Sequence, residues 1–308
     1  MNGHIQKIPP PADTVPRVWT SLDLIKWTTD YFKKKGIESP RLEAEILLAE
    51  VLGCARIRLY VDFEKAVEAE KLARFKEFVK RRAEGREPIQ YIVGHCQFID
   101  LKLVVKPGVL IPRPETELLA AWALERAKAV TGERVRVLDL CTGSGCLGLY
   151  LAAKEPRADV VATDISAEAL SIATINALAL KVEARLTFVS GDLYAPLAPE
   201  FKSSFDILVS NPPYIDPALR STLQPEVEKH EPVQALFADE AGLAVIRRLI
   251  NAAAEWLKPG GWLGMEFGSG QAKSVEEIAT GAGMFESIEI RVDDAKIPRM
   301  VLAKKKII

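Results

Sequence analysis

Seven β-type runs dominate the chain from residue 134 onward. They read RVRVLDL, ADVVATDI, ARLTFVSGD, FDILVSNPP, GWLGMEFG, FESIEIRV and MVLAKK. Helix-type segments lie between the first five runs, and such alternation is typical of a doubly wound, mainly parallel sheet. The last two runs are separated by little more than DDAKIP, which is too short for a crossover helix. The sequence therefore predicts an α/β fold with a seven-stranded sheet whose last strand is antiparallel.

Three helix-type segments precede this region. The first, TSLDLIKWTTDYFKKKG, begins at a Thr/Ser cap and ends at Gly36. The second, SPRLEAEILLAEVLG, combines a Ser39 cap and a first-turn proline with Gly53 at its end. The third is VEAEKLARFKEFVKRRAEG. We therefore expect a small all-α domain over residues 17–88.

The remaining domain boundaries follow from local composition and pattern. Residues 1–16 contain no apolar run of the kind found in secretory signals, and they predict a disordered tail. Residues 89–110 contain two alternating runs around Gly94 and Asp100, which predict a β-hairpin linker. The sheet-forming domain is then expected over residues 111–308.

Overall composition narrows the classes of partner. The net charge of −1 over 308 residues does not favour extensive binding to a nucleic-acid backbone. No apolar run approaches the roughly 18 residues of a membrane span. The four cysteines have no metal-ligand spacing, so we expect no metal site and free thiols in a reducing cytoplasm. These are Cys54, Cys96, Cys141 and Cys146.

A glycine-rich turn follows the first predicted strand in 137-VLDLCTGSGCLGLYLA-152. Its glycines permit close backbone approach, and the following helix start offers unpaired N–H groups. The spacing differs from dinucleotide and P-loop motifs. The acid at the strand end would repel a pyrophosphate but suits a cationic ligand such as S-adenosylmethionine. The candidate cofactor-binding residues here are Asp139, Cys141, Thr142, Gly143, Ser144 and Gly145.

Acids follow the second and third predicted strands as well. Asp164, in VATDIS, is placed to accept hydrogen bonds from ribose hydroxyls, with Ile165 beside it. Asp192, in FVSGDLY, could accept from an adenine amino group while Leu193 packs on the ring. Taken singly, each acid is equally consistent with a helix cap or a turn aspartate.

The fourth strand ends in 210-SNPPYID-216. Open α/β sheets bind ligands at the carboxyl edges of their strands. We therefore expect the glycine turn, Asp164, Asp192 and Asn211 to converge on one crevice, with Asn211 reaching both cofactor and substrate.

The glycine turn, the acid after the second strand and NPPY together resemble class I S-adenosylmethionine-dependent methyltransferases that act on amide or amine nitrogens. More narrowly, stretches along nearly the whole chain resemble the HemK/PrmC family, the glutamine methyltransferases of peptide-chain release factors. They are 41-RLEAEILL-48, 87-EPIQYIVG-94, 110-LIPRPETE-117, 137-VLDLCTGSG-145, 209-VSNPPYI-215 and 260-GGWLGMEFGSGQ-271.

The resemblance implies an S-adenosylmethionine-dependent enzyme that methylates the glutamine of the Gly-Gly-Gln motif in class 1 release factors. It implies that residues 111–308 form the methyltransferase domain and that the helical domain docks the partner. We expect a cytoplasmic monomer that contacts neither membrane nor nucleic acid directly.

Two departures from the family pattern stand out. Cys141 replaces the first glycine of D-L-G-T-G-S-G, and its Cβ is expected to crowd the methionine carboxylate or to require a negative φ. In 231-EPVQALFADEAGL-243, Ala and Glu replace most of the glycines that the family carries.

A mechanism follows from the residues of NPPY. A glutamine amide is a weak nucleophile, so it must be held in position. The Asn211 side-chain carbonyl can accept one amide N–H, and the Pro212 carbonyl can accept the other. Pro212 and Pro213 restrict the backbone, while Tyr214 offers a flat face to the planar amide. We expect these four residues to bind the substrate and Asn211, Pro212 and Tyr214 to act in catalysis, through proximity and preorganised hydrogen bonds.

Three alternatives remain open from sequence alone. A related enzyme could act on the glutamine of a ribosomal protein. An amino-methylating DNA enzyme is less well matched, because the chain lacks a target-recognition region and a basic track. A non-catalytic binding module would result if Cys141 blocked the cofactor.

Overall fold

The computed structural model describes residues 18–307. The predicted tail, residues 1–16, lies outside the described residues. The chain divides into two compact units, with the boundary between Ile89 and Gln90.

The first unit is helical. Thr20 caps the first helix through a reciprocal capping box with Asp23, and Gly53 ends the second helix in a left-handed conformation. Large apolar side chains such as Phe32 and Phe75 are buried between the helices. The helices are α1 (Ser21–Lys34), α2 (Pro40–Leu52), α3 (Arg58–Val61) and α4 (Ala69–Gly85).

A short helix, α5 (Ile89–Val93), spans the boundary between the units, and a β-hairpin of β1 (His95–Phe98) and β2 (Leu101–Val104) follows it in the second unit. The hairpin turns near Asp100, as the sequence predicts. The run before Gly94 is helical rather than extended, so that part of the hairpin prediction is wrong. Pro88 precedes this helix, and proline is favoured where a helix starts.

The seven-stranded sheet has the order β5-β4-β3-β6-β7-β9-β8. Its first five strands in chain order are mutually parallel where they pair, and β9 is antiparallel to both its neighbours. This confirms the predicted fold class and its antiparallel last strand. The strands are β3 (Val135–Leu140), β4 (Ala158–Asp164), β5 (Leu186–Ser190), β6 (Phe205–Ser210), β7 (Leu257–Glu266), β8 (Phe285–Val292) and β9 (Pro298–Lys305).

Two apolar clusters cover the faces of this sheet. Along β6 the side chains alternate, so that Ile207 and Val209 join one cluster and Leu208 joins the other. The helices are α6 (Pro114–Ala129), α7 (Cys146–Lys154), α8 (Ala167–Leu180), α9 (Pro225–His230), α10 (Val233–Leu236), α11 (Asp239–Gly242, a left-handed turn), α12 (Ala244–Trp256) and α13 (Ala272–Gly281).

The described residues contain no helix long and apolar enough to cross a membrane. They also contain no group of three or more metal-ligating side chains, and their four cysteines are free thiols.

Candidate active site

A cavity of about 460 Å³ opens where β3, β4, β5 and β6 end. The parallel register brings the loops after these strands to one edge, as Leu140 pairs with Thr163 on one side and Ser210 on the other. Most of the residues that the sequence singles out line this cavity. They are Cys141, Thr142, Gly143, Ser144, Asp164, Ile165, Asp192, Leu193, Asn211 and Pro213.

The other predicted residues do not line the cavity. Asp139 lies beneath the glycine turn, and Gly145 starts α7, where an added Cβ would press on Leu149. Pro212 is buried. Tyr214 packs against an apolar cluster and donates its hydroxyl to a carboxylate, so its expected flat wall is not part of this cavity.

Asp139 holds the glycine turn from below. Its Oδ2 atom accepts hydrogen bonds from the Thr142 hydroxyl at 2.6 Å and from the Gly148 N–H at 3.0 Å. Its Oδ1 atom is buried without a hydrogen-bond partner. Burial raises the pKa of Asp139 to about 7, against the lowering effect of these hydrogen bonds. A buried carboxyl with one unused oxygen is suited to a positively charged ligand group.

Cys141 adopts a left-handed backbone conformation, with φ of 58°. The expectation that its Cβ would force a negative φ is therefore wrong. The turn is held by its neighbours, because the Thr142 N–H donates to the Thr163 carbonyl at 3.0 Å and the Gly145 N–H donates to the Thr142 carbonyl at 2.8 Å. These bonds fix the turn, and Cys141 adopts the conformation that they require.

Asp164 ends β4 and also supports the turn. Its Oδ2 accepts from the Gly143 N–H at 2.8 Å, and its Oδ1 accepts from the Ser166 N–H at 2.9 Å. Burial raises its pKa despite these bonds. Ile165 beside it is 55% exposed, which leaves a free apolar surface at the cavity.

The loop after β5 forms the far wall. Leu193 is buried, has a φ of 49°, and accepts from the Thr163 hydroxyl through its carbonyl. Asp192 forms an ion pair with Arg248 at 2.6 Å, and both side chains are about half exposed. Such a pair contributes little to stability, so Arg248 leaves Asp192 able to exchange partners.

Asn211 belongs to a hydrogen-bonded chain that the sequence reasoning missed. Its Nδ2 donates to the Thr116 hydroxyl at 3.0 Å, and that hydroxyl donates to Glu266 Oε2 at 2.7 Å. The Tyr214 hydroxyl donates to the other oxygen, Glu266 Oε1, at 2.9 Å. Thr116 and Glu266 are both buried. Burial raises the pKa of Glu266, while the two hydroxyl groups act in the opposite direction.

The sequence reasoning also missed an ion pair that connects the PRPETE loop to the segment after NPPY. Arg113 and Glu231 form an ion pair at 2.6 Å, and Glu231 is buried. Glu231 also accepts from the Ile111 N–H. A sequence signal existed for the hydrogen-bonded chain, since Thr116 lies between the acids of PRPETE and Glu266 is an acid at a strand end.

Comparisons with known proteins agree with this architecture. The PrmC N-terminal domain matches residues 23–94, and the methyltransferase small domain matches residues 116–224. The release factor glutamine methyltransferase of Geobacter sulfurreducens is 44% identical over 84% of this chain and 88% of its own length. The protein of that name from Rhodopirellula baltica is 40% identical over 93% of this chain and 97% of its own.

The chain belongs to the release factor glutamine methyltransferase family. This confirms the family that the sequence motifs indicated. Among solved structures, the hMettl16 catalytic domain shares the fold, with a TM-score of 0.53 at 14% identity over 80% of this chain and 85% of that one.

Proposed function

We propose that this protein transfers a methyl group from S-adenosylmethionine to the side-chain amide nitrogen of the glutamine in the Gly-Gly-Gln motif of peptide-chain release factors. The observation that carries the proposal is the orientation of Asn211. Its amide nitrogen is engaged by Thr116, and its Oδ1 has no hydrogen-bond donor among the described residues. A fixed acceptor at the cavity suits a substrate that presents N–H groups.

The residues of the cavity fit S-adenosylmethionine. An added Cβ at Gly143 would meet nothing within 4 Å, so the turn leaves open space for a ligand. The unpaired Oδ1 of Asp139 provides negative charge beneath that space. Asp164 would hold the ribose, Ile165 and Leu193 would flank the adenine, and Asp192 would accept from its amino group. When bound, the cofactor supplies an electrophilic methyl group on a sulfonium.

The chain's own residues would hold the glutamine amide. Asn211 Oδ1 accepts one N–H and the Pro212 carbonyl accepts the other, which orients the nitrogen lone pair. Pro212 and Pro213 limit backbone motion, so these acceptors need little reorganisation. Tyr214 supports the loop through its hydrogen bond to Glu266. The surplus proton on the methylated nitrogen then passes to water.

Exposed apolar side chains on the helical unit support its proposed role in docking a protein partner. Ile57, Tyr60, Val61 and Phe63 lie close together in sequence and are 69%, 48%, 62% and 41% exposed. Apolar groups gathered in this way often mark protein–protein contacts. A release-factor substrate would place the reaction in the cytoplasm.

Mass spectrometry of a co-expressed release factor tests the proposal. We expect one added methyl group on the glutamine of its Gly-Gly-Gln motif. Purified ribosomal protein serves as the competing substrate. Methylation of the ribosomal protein alone would overturn the proposed substrate.

The variant Asn211→Ala tests the role of the carbonyl acceptor. Losing one preorganised contact is expected to lower kcat roughly 100- to 1000-fold. Calorimetry should still detect S-adenosylmethionine binding, because the glycine turn and Asp164 are unchanged. Asn251→Ala is a matched control, since Asn251 is exposed on α12. Near-normal turnover by Asn211→Ala would contradict the assignment.

A further inference from the structure

Four side chains form one continuous hydrogen-bonded chain beside the cavity. It runs from Asn211 to Thr116, then to Glu266, and ends at Tyr214. Thr116 stands in the first turn of α6, Asn211 follows β6, and Glu266 ends β7. Thr116 and Asn211 line the cavity, whereas Glu266 and Tyr214 lie behind them.

With Glu266 ionised, the protons along this chain can be arranged in only one direction. An ionised carboxylate can only accept, so Glu266 requires a donor from each hydroxyl. The Thr116 hydroxyl has a single proton, and that proton is directed to Glu266 at 2.7 Å. The Thr116 oxygen can then only accept from Asn211. The NH₂ group of Asn211 must therefore face Thr116, and its carbonyl oxygen must face the other way.

The opposite orientation of Asn211 is disfavoured for the same reason. It would place two acceptors, Asn211 Oδ1 and Glu266 Oε2, around one hydroxyl proton. One buried acceptor would then lose its donor, and an unsatisfied buried charge is costly. The hydrogen bonds from the Thr116 and Tyr214 hydroxyls stabilise the ionised form of Glu266 against the burial that raises its pKa.

We propose that Thr116 and Glu266 are positioning residues that hold the Asn211 amide with its oxygen toward the substrate, and so make the site select N–H donors over hydrogen-bond acceptors. The proposal rests on the proposed function. It predicts discrimination between a glutamine, whose amide donates, and a glutamate, whose carboxylate can only accept. The discrimination would come from a residue pair 150 positions apart that need not touch the substrate.

The test compares Thr116→Val with Thr116→Ser. Valine keeps the shape of threonine but removes the hydroxyl, so the Asn211 amide is free to turn over. Serine keeps the hydroxyl. Each variant is assayed with a release factor, and a release factor carrying glutamate in place of the motif glutamine serves as a competitive inhibitor.

We expect Thr116→Val to lower kcat for the release factor roughly ten- to a hundredfold, the effect of one lost buried hydrogen bond. Thr116→Ser should restore most of the rate. The decisive readout is the ratio of the glutamate-variant Ki to the glutamine KM, which should fall in Thr116→Val and stay near the wild-type value in Thr116→Ser. A purely structural role for Thr116 would weaken both affinities together and leave that ratio unchanged.

The outcomes separate the two proposals. No methylation of the release factor by the wild-type enzyme would remove the proposed function. An active wild type with an unchanged ratio in Thr116→Val, or with a kcat within twofold of wild type, would overturn the positioning role alone. If Thr116→Val is poorly folded by circular dichroism, Thr116→Ala replaces it, because alanine leaves space instead of adding an apolar group.

Discussion

Asp139 and Glu266 are both buried acids near the carboxyl ends of parallel strands, yet their hydrogen bonding differs. Asp139 binds the glycine turn through one oxygen and leaves the other without a partner. Glu266 accepts a hydroxyl on each of its oxygens. The contrast separates two tasks, since an unsatisfied acid is suited to attract a positive ligand and a satisfied acid is suited to orient its neighbours.

The packing around the two acids differs as well. Above Asp139 the glycine turn is open at Gly143, where an added Cβ would meet nothing within 4 Å. Around Glu266 the loop carrying Tyr214 is packed tightly. The Gln271 side chain donates to the carbonyl oxygens of Tyr214 and Ala241, and its own oxygen accepts from the Gly268 N–H. We therefore expect the Glu266 region to tolerate change poorly.

Gly242→Ala tests that tight packing and should give the largest loss of stability. Gly242 has a φ of 85°, and an added Cβ would overlap the Tyr214 carbonyl oxygen. We expect the free energy of unfolding to fall by about 3 kcal/mol, from backbone strain together with steric overlap. Denaturant unfolding measures the change.

A matched control for this variant is Gly270→Ala. Gly270 has a nearly equal φ of 84°, but an added Cβ there meets nothing within 4 Å. Its loss should be about 1 kcal/mol, the strain alone. Equal losses in the two variants would show that the loop around Tyr214 yields easily and is not the more rigid of the two regions.

Asp139→Asn tests whether the charge of Asp139 attracts a cationic ligand. With a pKa of about 7, Asp139 is mostly neutral below that pH and charged above it. Its attraction for a cationic ligand should therefore appear as pH rises through 7. We expect S-adenosylmethionine to bind the variant roughly tenfold more weakly than wild type at pH 8, the size of one modest charge interaction.

Calorimetric titration from pH 6 to pH 8 checks this expectation. Wild-type affinity should increase across the range, while that of Asp139→Asn should change less. The asparagine oxygen can still accept from Thr142 and Gly148, so the turn should keep its shape. Parallel pH profiles for the two proteins would show that the unpaired oxygen has no part in attracting the ligand.

The sequence predicted the residues around Asp139 better than those around Glu266. Asp139, Asp164 and Asn211 each follow a strand or lie near its end, and parallel strands bring such positions to one edge of a sheet. Local pattern was therefore enough to find the cavity. The Thr116–Glu266 bond joins residues 150 positions apart, and only the packing of α6 against β7 brings them together.

One local expectation was wrong and another was incomplete, each for a physical reason. Cys141 was expected to avoid positive φ, but the backbone hydrogen bonds of the turn outweigh the strain of one side chain. Tyr214 was expected to offer a flat face to the substrate amide, and that remains a prediction. The expectation missed its hydroxyl, which satisfies a buried carboxylate on the distant Glu266 that is not visible in NPPY.

The smallest expected effect is on the free energy of unfolding. It comes from backbone strain at positive φ, which occurs in both regions. Ala241, near Tyr214, and Cys141, in the glycine turn, have φ of 55° and 58°. Ala241 is exposed, so Ala241→Gly should relieve strain without removing packing. The gain in unfolding free energy should be about 0.5–1 kcal/mol, because the flexibility of glycine in the unfolded chain offsets part of the relief.

Cys141→Gly relieves the same strain but removes a side chain that lines the cavity and packs against an apolar cluster. Its net gain should therefore be smaller than that of Ala241→Gly, and thermal unfolding of the two variants side by side measures the difference. A larger gain for Cys141→Gly would mean that the thiol contributes no packing. The cysteine would then be only a strained replacement for glycine, and its removal should leave cofactor affinity unchanged or improved.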